Sequence, residues 1–309
     1  MATVLVTGGA GFIGSHIADR FLKDGHKVEI IDNLSSGFKQ NVATGGVLHE
    51  VDVRSKEAHQ IIVAGAFDLI VHAAAQISVR KSMEDPMFDA DVNVVGTVNL
   101  LEGSRRAAKL PRWIFISTGG AIYGEQIAFP ANENHPIQPA SLYGQTKRFG
   151  EMYLDFWRRE FGLKYCVVRL ANVYGPRQNP HGEAGVVAIF ARTLLKGGTP
   201  IINGTGDQSR DFVFVGDVAD AVNAAYQTGT EGIFNIGTSV ETSVNALYHT
   251  LLKVVGSSTR AKYAGGKPGE QMRSVIDPTA AEKSFGWKAK VDLSSGLLQT
   301  VEWFKSNSL

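Results

Sequence analysis

Over the first 170 residues, short apolar runs rich in β-branched side chains alternate with longer stretches of helical periodicity. The short runs predict strands at residues 3–7, 27–31, 47–51, 69–72, 112–117 and 165–169, and the longer stretches predict helices at 12–24, 55–65, 88–108 and 143–161. Strand, helix and strand in repetition give right-handed crossovers. The pattern therefore predicts an α/β protein with a doubly wound parallel sheet covered by helices on both faces.

The regular alternation of strands and helices ends after Asn172. Residues 174–185 contain two prolines and three glycines, which predicts a long functional loop. Short helices are predicted at 186–195, 216–226 and 244–255, between isolated strand-like pieces. We expect a main domain over residues 1–172 and a smaller α+β lobe over 173–309, some segments of which return to the main sheet.

Charge and hydropathy narrow the possible partners. Lys and Arg total 31 and Asp and Glu total 30, so the net charge is only +1, without the clustered basic charge that nucleic-acid binding needs. No apolar run approaches the length of a membrane span, and no secretion signal precedes the first strand. We expect a cytoplasmic protein that binds neither nucleic acid nor membrane, although a few placed cations still allow an anionic small molecule.

Cysteine and histidine add no chemistry. The one cysteine, Cys166, lies in an apolar run and is interpreted as a buried, inert thiol, so no internal disulfide forms. The eight histidines show no metal-ligand spacing, and we predict no metal site.

A glycine-rich turn, TGGAGFIG, joins the first predicted strand to the first helix and contains Gly8, Gly11 and Gly14. Glycine lets the backbone approach a pyrophosphate, whose charge favours a helix N-terminus. The next strand ends at Asp32, where a carboxylate accepts a hydrogen bond from an adenosine ribose, and no arginine follows to hold a 2′-phosphate. This order predicts a Rossmann domain that binds NAD; the alternative is a glycine-rich turn without a ligand.

Tyr143 and Lys147 lie four residues apart in a predicted helix, so their side chains share one face. A free tyrosine, with a pKa of about 10, is a poor base at neutral pH. The Lys147 charge and an oxidised nicotinamide would each lower the pKa of Tyr143 and favour a phenolate. A surface pair without function is the alternative, and it is less favoured because the pair follows a dinucleotide loop and a strand ending in Ser117 and Thr118.

Nine stretches in a fixed order carry a resemblance to a known family. They are TGGAGFIG, IDNLSSG, the pair Asp52 and Val53, HAAAQ, DVNVVGT, ISTGGAIYGE, SLYGQTK, RLANVYGPRQ and SRDFVFVGDVA. The chain resembles the extended short-chain dehydrogenase/reductase superfamily and its NAD-dependent epimerase/dehydratase family, and within it is similar to bacterial UDP-glucose 4-epimerases.

The resemblance implies which residues hold the NAD cofactor. Asp52 and Val53 would flank the adenine, and Asn93 would lie near the nicotinamide ribose. The implied set is Gly8, Gly11, Phe12, Ile13, Gly14, Asp32, Asn33, Asp52, Val53, Ala73, Ala74, Ala75, Asn93, Tyr143 and Lys147.

The implied reaction is epimerisation at C4 of a UDP-sugar, interconverting UDP-glucose and UDP-galactose through a transient 4-keto sugar. Tyr143 would take the proton of the 4-hydroxyl while C4 delivers hydride to NAD, and the hydride would return to the opposite face of the turned sugar. Lys147 would hold the nicotinamide ribose and lower the pKa of Tyr143.

One position departs from the family pattern. The family usually has serine or threonine four residues before Tyr123, and here that position is Gly119. Either the neighbouring Thr118 supplies the hydroxyl, which we expect, or Tyr143 handles the proton alone.

Two other functions stay open. Related dehydratases use an Asp-Glu pair beside that hydroxyl and related decarboxylases use a glutamate, whereas this chain has Gly120 and Ala121, which transfer no proton. A dehydratase or net oxidoreductase is therefore the first alternative. A non-catalytic NAD-binding regulator is the second, and it would not need an intact Tyr143 and Lys147 pair.

The resemblance implies substrate contacts at Thr118, Gly119, Asn172, Arg210, Lys267, Glu270 and Ser274. Asn172 and Arg210 would contact the diphosphate. A small residue at the position of Ser274 leaves room for a 2-acetamido group, so UDP-GlcNAc and UDP-GalNAc are possible further substrates; an ordinary loop serine is the alternative. Among the other cations, Arg177 is interpreted as a surface charge, and Arg273 is left between the two roles.

The helix at 143–161 carries more apolar surface than one packed face needs: Phe149, Met152, Tyr153, Phe156 and Trp157. Together with the helix at 88–108 it predicts a homodimer contact, as in similar enzymes. Burial under the second lobe is the alternative.

Overall fold

A computed structural model describes residues 1–180, 185–266 and 271–307. The strands in these ranges are β1 (Thr3–Thr7), β2 (Lys27–Ile31), β3 (Gly46–His49), β4 (Leu69–His72), β5 (Arg112–Thr118), β6 (Tyr165–Leu170), β7 (Asn172–Tyr174), β8 (Ile201–Asn203), β9 (Ser209–Phe214), β10 (Gly232–Ile236), β11 (Glu241–Ser243), β12 (Lys262–Ala264) and β13 (Arg273–Ser274). Seven of them form one parallel sheet in the order β3-β2-β1-β4-β5-β6-β10. The order reverses direction between β1 and β4, and a cleft forms at such a reversal, outside the carboxyl ends of the strands.

Both faces of this main sheet are buried because its strands are nearly continuous apolar runs whose side chains alternate between the faces. On β1, Val4 and Val6 join one apolar cluster and Leu5 joins the other. On β5, Ile114 and Trp113 divide in the same way. The strand pattern therefore requires a helical layer on each side.

The α-helices of the described ranges are α1 (Phe12–Lys23), α2 (Lys56–Ala64), α3 (Val79–Glu84), α4 (Pro86–Ala90), α5 (Gly96–Arg106), α6 (Gly119–Ile122), α7 (Leu142–Phe161), α8 (Val186–Leu195), α9 (Val215–Gln227), α10 (Val244–Val255), α11 (Thr279–Phe285) and α12 (Leu293–Ser306). Helices α1 and α9 pack together on one face of the main sheet, through Ile17 and Val222, and α2 and α5 pack together on the other, through Ile62 and Leu100. The prediction of a doubly wound α/β fold is confirmed.

The helix predicted at 88–108 is the element that differs most. Its path begins at Pro86, where the Asp85 side chain accepts a hydrogen bond from the Phe88 amide at 3.0 Å, and it ends at Arg106. Between α4 and α5 lies a π-helical turn, Asp91–Val95. Asn93 in that turn bonds across to the Gln76 backbone, a long-range contact that hydrophobic periodicity does not encode.

Four of the remaining strands build a second sheet, and β8 pairs with β12 in a third. The chain leaves the main sheet after β6, and β7 pairs with β9, which also pairs with β11 and β13. Helices α8, α10 and α12 pack on one another over a separate apolar cluster that includes Leu247 and Val301. Strand β10 lies at the edge of the main sheet beside β6. The division of the chain at residue 172 stays a prediction.

Within the described ranges, no helix combines the length and apolarity needed to cross a bilayer, and no group of three His, Cys, Asp or Glu side chains is placed to hold a metal ion. Cys166 is buried, and burial raises the pKa of its thiol to about 12. A cytoplasmic location stays a prediction.

Candidate active site

The turn after β1 has a shape that excludes side chains at two positions. Gly8 has a φ of +70°, and a Cβ on it would lie 2.7 Å from the Ala74 nitrogen. A Cβ on Gly14 would lie 2.1 Å from the Gly8 carbonyl oxygen. Gly11 precedes α1 without a side-chain cap, so the first amide groups of that helix have no side-chain partner. The turn fits an anionic group such as a pyrophosphate, because backbone amides and the helix dipole both favour negative charge there.

Asp32 ties the end of β2 to the glycine turn. Its Oδ2 accepts the Ala10 amide at 2.9 Å, and its Oδ1 accepts the Leu34 amide at 2.8 Å. Burial raises the pKa of Asp32, and these backbone hydrogen bonds oppose the rise. The carboxylate is thereby fixed at the carboxyl edge of the sheet, where a ribose contact is expected.

A second carboxylate, Asp52, lies beside Asn33. Arg54 donates to both of its oxygens at 2.8 Å, and Asn33 Nδ2 donates to Oδ2 at 2.9 Å. The Arg54 hydrogen bonds lower the pKa of Asp52 to about 2. Asp52 is therefore ionised at neutral pH and is held by these hydrogen bonds in the loop after β3.

These groups line one cavity of about 590 Å³. Twelve of the fifteen residues expected to hold the cofactor lie in its wall, and they are Gly8, Gly11, Phe12, Ile13, Gly14, Asp32, Asn33, Asp52, Val53, Ala73, Ala74 and Ala75. The other three, Asn93, Tyr143 and Lys147, are not part of the wall.

Arg177, interpreted from the sequence as a surface charge, also lines this cavity. Its side chain is 23% exposed, and NH1 lies 2.7 Å from Asp19 Oδ2 on α1. Its backbone is left-handed, with a φ of 66°, in the loop after β7. The loop folds back over α1 and brings a cation to the wall that holds the glycine turn.

Tyr143 stands at the start of α7, next to Thr118. Ser141 caps the helix, with its Oγ accepting the Gly144 amide at 3.2 Å. A Cβ on Gly144 would lie 2.8 Å from the Ala121 carbonyl oxygen, so α6 and α7 begin very close together. This approach brings the Thr118 side chain close enough to Tyr143 to lower its pKa. The use of Thr118 in place of the hydroxyl missing at Gly119 stays a prediction.

The electrostatics of Tyr143 differ from the expectation. Burial raises the pKa of Tyr143, and the Asp89 charge raises it further; the Thr118 hydrogen bond opposes them. Lys147 is buried, and its Nζ donates to the Ile116 carbonyl at 2.8 Å. The residues of the protein alone therefore favour the phenol, and the expected lowering by Lys147 is not found among them.

Lys147 itself has a perturbed charge. Burial lowers its pKa to about 8, and the Asp89 and Glu151 charges oppose that shift. Its ammonium group also lies 4.8 Å from the centre of the Phe115 ring. Lys147 is therefore mostly protonated at neutral pH, but its pKa lies only about one unit above it.

Asn93 is buried, and its amide is used inside the protein. Its Oδ1 accepts the Gln76 amide at 2.8 Å, and its Nδ2 is shared among Gln76 O, Asp89 Oδ1 and Thr146 Oγ1 at 2.9, 3.1 and 3.2 Å. The side chain braces the loop after β4 against α7. Its expected place near a ribose stays a prediction.

The departure at Gly119 has a packing cause. A Cβ on Gly119 would lie 2.8 Å from Ile276 Cδ1, 3.2 Å from the Leu170 oxygen and 3.3 Å from the Arg169 oxygen. A serine or threonine there has no room unless Ile276 moves. Thr118, one residue earlier, caps α6 and accepts the Ala121 amide at 3.1 Å, which leaves its hydroxyl proton for another acceptor.

The expected substrate residues fall into three groups. Asn172 is exposed at the start of β7, and its Oδ1 is 3.5 Å from the Cβ position of Gly120. Arg210 and Ser274 are register partners on β9 and β13, Arg210 half-buried and Ser274 3% exposed. Lys267 and Glu270 lie outside the described residues.

Arg273 is already engaged on the protein surface. It donates to both carboxylate oxygens of Glu241 at 2.7 Å, and its guanidinium lies 3.8 Å from the centre of the Phe129 ring. These contacts favour the structural interpretation of this arginine.

Several side chains of the site escaped sequence reasoning. Arg54 and Arg177 add cations to the cavity wall, and Gln76, also in the wall, donates to Asp89, which is not part of the wall. Gln76 and Arg177 lie in the stretches HAAAQ and RLANVYGPRQ that carry the resemblance, but those stretches did not indicate these contacts. Long-range hydrogen bonds assemble the group, and only a three-dimensional structure displays them.

Comparisons with known proteins agree with this geometry. The model of the NAD dependent epimerase/dehydratase family matches residues 4–237. UDP-glucose 4-epimerase of Mycolicibacterium smegmatis is 43% identical over 310 residues, covering 98% of this chain and 99% of that protein. The crystal structure of Thermotoga maritima UDP-glucose 4-epimerase with UDP-glucose superposes with a TM-score of 0.96 at 43% identity, covering 98% of this chain and 99% of that one. The Thermus thermophilus UDP-glucose 4-epimerase complex with NAD gives 0.93 at 41% identity, with the same coverage.

The resemblance inferred from nine sequence stretches is confirmed over nearly the full length. The matched residues include the glycine turn, Asp32, the Tyr143 and Lys147 pair and most of the cavity wall. The chain belongs to the NAD-dependent epimerase/dehydratase family of extended short-chain dehydrogenases/reductases, and its cofactor is NAD.

Proposed function

We propose that the protein is a UDP-sugar 4-epimerase that interconverts UDP-glucose and UDP-galactose without net oxidation. The observation that carries the proposal is the placement of Tyr143 at the start of α7 beside Thr118, with the buried ammonium of Lys147 one turn further along the same helix. Tyr143 also contacts α3 through its amide, which donates to Ser82 Oγ at 3.1 Å, and Ser78 and Lys81 of that segment line the cavity. The substrate named for the relatives above supports the choice of a UDP-sugar.

The residues that line the cavity fit an NAD molecule. The glycine turn would take the pyrophosphate, Asp32 the adenosine ribose, and Asp52 with Val53 the adenine. NAD, when bound, supplies a reversible acceptor for the hydride of the sugar C4.

Tyr143 would be the general base. The Thr118 hydroxyl would donate to it and favour the phenolate, and the positive charge of an oxidised nicotinamide would act in the same direction. Tyr143 removes the proton of the 4-hydroxyl, holds it while the 4-keto sugar turns in the pocket, and returns it to the other epimer.

Lys147 would hold the cofactor rather than move a proton. Its ammonium has three N–H donors, one of which is used by the Ile116 carbonyl. The others would bond the nicotinamide ribose. This role needs the charged form of Lys147.

The substrate contacts are assigned by place. Thr118 and Gly119 would face the sugar, and Asn172 and Arg210 would hold the diphosphate. Gly120 and Ala121 offer no proton donor beside Thr118, which supports epimerisation over dehydration.

Product analysis with purified protein tests the proposal. We expect UDP-galactose to yield UDP-glucose without free NADH. Tyr143→Phe should lower kcat by roughly 10²–10⁴-fold and leave NAD bound. Tyr153→Phe, which removes a half-exposed hydroxyl from the same helix, is the control and should keep the rate. Near-normal turnover by Tyr143→Phe would exclude Tyr143 as the base, and NADH accumulating in proportion to substrate would show a net oxidoreductase instead.

Ser274 would widen the sugar range. It is buried and adds little volume, so a 2-acetamido group would fit where a tyrosine would exclude it. We expect turnover of UDP-GalNAc as well as UDP-galactose, and we expect Ser274→Tyr to lose only the former. No activity of the natural protein on UDP-GalNAc would end this part of the proposal.

We expect the protein to form a homodimer through α7 and the neighbouring residue Val95. Phe149, Met152 and Phe156 on α7 are 39%, 52% and 43% exposed, and Val95 beside α5 is 53% exposed, whereas Trp157 is buried. Neighbouring apolar side chains of this kind favour a second copy over water. Light scattering should give a dimer, and Phe156→Glu should give a monomer; a monomeric natural protein at micromolar concentration would contradict it.

A further inference from the structure

A completely buried carboxylate lies behind the proposed catalytic pair. Asp89, on α4, is 0% exposed. Its Oδ1 accepts Gln76 Nε2 at 2.7 Å and Asn93 Nδ2 at 3.1 Å, and its Oδ2 accepts Thr146 Oγ1 at 2.8 Å. None of these three partners carries a charge, so the carboxyl group is surrounded by neutral polar groups.

The buried carboxylate of α7, in contrast, is compensated by cations. Glu151 is paired with Arg169 at 2.7 Å and with Arg148 at 3.0 Å. Asp89 has no such cation within salt-bridge distance among the described residues. Burying an unpaired charge is costly, so its presence needs an explanation other than stability.

Asp89 reaches the turn of α7 that holds both groups of the pair. Thr146, which donates to Asp89, lies between Tyr143 and Lys147 in sequence, and its hydroxyl also approaches the Tyr143 carbonyl oxygen at 3.1 Å. Helix α4 packs directly on α7. Burial has the largest influence on both groups; the Asp89 charge adds to the rise in the pKa of Tyr143 and opposes the lowering of the pKa of Lys147.

The other titratable groups near Tyr143 and Lys147 are either uncharged or engaged in contacts of their own. His72, on β4, faces Lys147, and burial with the Lys147 charge lowers its pKa to about 3, so it is uncharged. On the elements packed against α4, Asp91 pairs with Arg54 at 2.6 Å, and the Lys81 ammonium lies over the Phe88 ring at 4.3 Å.

Two further charges lie near α4. Arg80 and Glu84 pair with each other on the exposed side of α3 at 2.8 Å. Among the described residues, Asp89 thus has no cation at salt-bridge distance, and the buried cation on which its charge acts is Lys147.

We propose that Asp89 is a positioning residue whose fixed buried charge sets the protonation of Tyr143 and Lys147 together, through the turn braced at Thr146. The carboxylate keeps the lysine charged and keeps the tyrosine a phenol. This proposal rests on the proposed function only in assigning chemistry to the pair.

Asp89→Asn tests it, because asparagine keeps the size of the side chain and removes the charge. Both groups should then lose protons more easily, so the acid and alkaline limbs of the kcat profile should both move to lower pH, by about one pH unit each. Asp85→Asn is the matched control: Asp85 is an exposed cap of the same helix, asparagine also caps, and the profile should not move. Asp89→Glu, which keeps the charge, should leave both limbs near their natural positions.

A second readout does not need turnover. Near-ultraviolet difference absorbance, with Tyr143→Phe as the blank, follows the phenolate of residue 143 directly, and it should show the same downward shift in Asp89→Asn. If the natural protein fails to epimerise any UDP-sugar, the proposed function fails while this titration still decides the role of Asp89. Unmoved titrations in folded Asp89→Asn would overturn the proposal.

The natural protein gives a test even if Asp89→Asn does not fold. Carboxyl-selective ¹³C NMR, assigned with Asp89→Glu, reports whether the side chain is ionised. An ionised Asp89 through the active pH range supports the proposal, and a protonated one at neutral pH overturns it.

Discussion

The cofactor cleft and the substrate edge are built in opposite ways. In the cleft the main chain forms the glycine turn and fixes its carboxylate: Gly8 and Gly14 leave no room for a Cβ, and buried Asp32 accepts two backbone amides. At the substrate edge the expected contacts are side chains on short strands, such as Arg210 on β9 and Ser274 on β13. A site made of backbone changes only with the fold, whereas a site made of side chains changes one residue at a time. This difference predicts a fixed cofactor and an adjustable substrate range.

The largest effect should come from a single carbon atom in the cleft. Gly14→Ala places a Cβ where the Gly8 carbonyl oxygen lies 2.1 Å away, so α1 and the turn must separate. We expect a loss of NAD binding and a fall in the free energy of unfolding of about 3 kcal/mol, the upper end of overpacking costs. Thermal denaturation and NAD retention measure it.

Gly25→Ala is the matched control. Gly25 has a φ of +80° but open space around its Cβ position, so only the backbone preference is lost, at about 1 kcal/mol. Equal damage from the two substitutions would show that close approach in the turn is not what matters.

The next effect concerns pH. Lys147 must be an ammonium to hold the ribose, and burial lowers its pKa to about 8, so the charge is lost as the pH rises through that value. We expect kcat to fall about tenfold per pH unit above it. Lys147→Arg keeps a charge at every accessible pH and should remove this limb, at a lower maximum rate. An unchanged alkaline limb in Lys147→Arg would assign the titration to another group.

A smaller effect is expected where a side chain does serve the cleft. Arg177→Gln removes the cation from the wall near α1, and we expect the Kd for NAD to rise about tenfold, or about 1.4 kcal/mol. Arg273→Gln is the control, since its guanidinium is committed to Glu241 and Phe129. Calorimetric titration with NAD distinguishes them, and equal affinities for the two variants would remove Arg177 from the cofactor site.

The parts of the cofactor cleft differ in how far the sequence could predict them. The glycine turn and Asp32 follow from local order, because one strand-turn-helix-strand unit contains both, and the bounds of most main-sheet strands follow from short apolar runs. The role of Arg177 and the π turn at Asp91–Val95 do not follow, because both depend on contacts with distant parts of the chain. Asp89 was missed for the same reason: its partners come from three separate segments.

The smallest effect on kcat is expected at Gly119, between the cofactor cleft and the substrate edge. Gly119→Ser restores the hydroxyl usual in the family, yet its Cβ would meet Ile276 Cδ1 at 2.8 Å. The end of an isoleucine side chain can move, so the protein should fold, with kcat lowered about fivefold as Thr118 is displaced, equivalent to about 1 kcal/mol. Ile276→Val removes Cδ1; alone it should be nearly neutral, and combined with Gly119→Ser it should restore the rate. Steady-state kinetics of the three variants measure these effects. A Gly119→Ser enzyme faster than the natural one would mean that Thr118 is a poor substitute for the missing hydroxyl. Rescue by Ile276→Val would mean that a residue after β13 determines which hydroxyl the cleft uses.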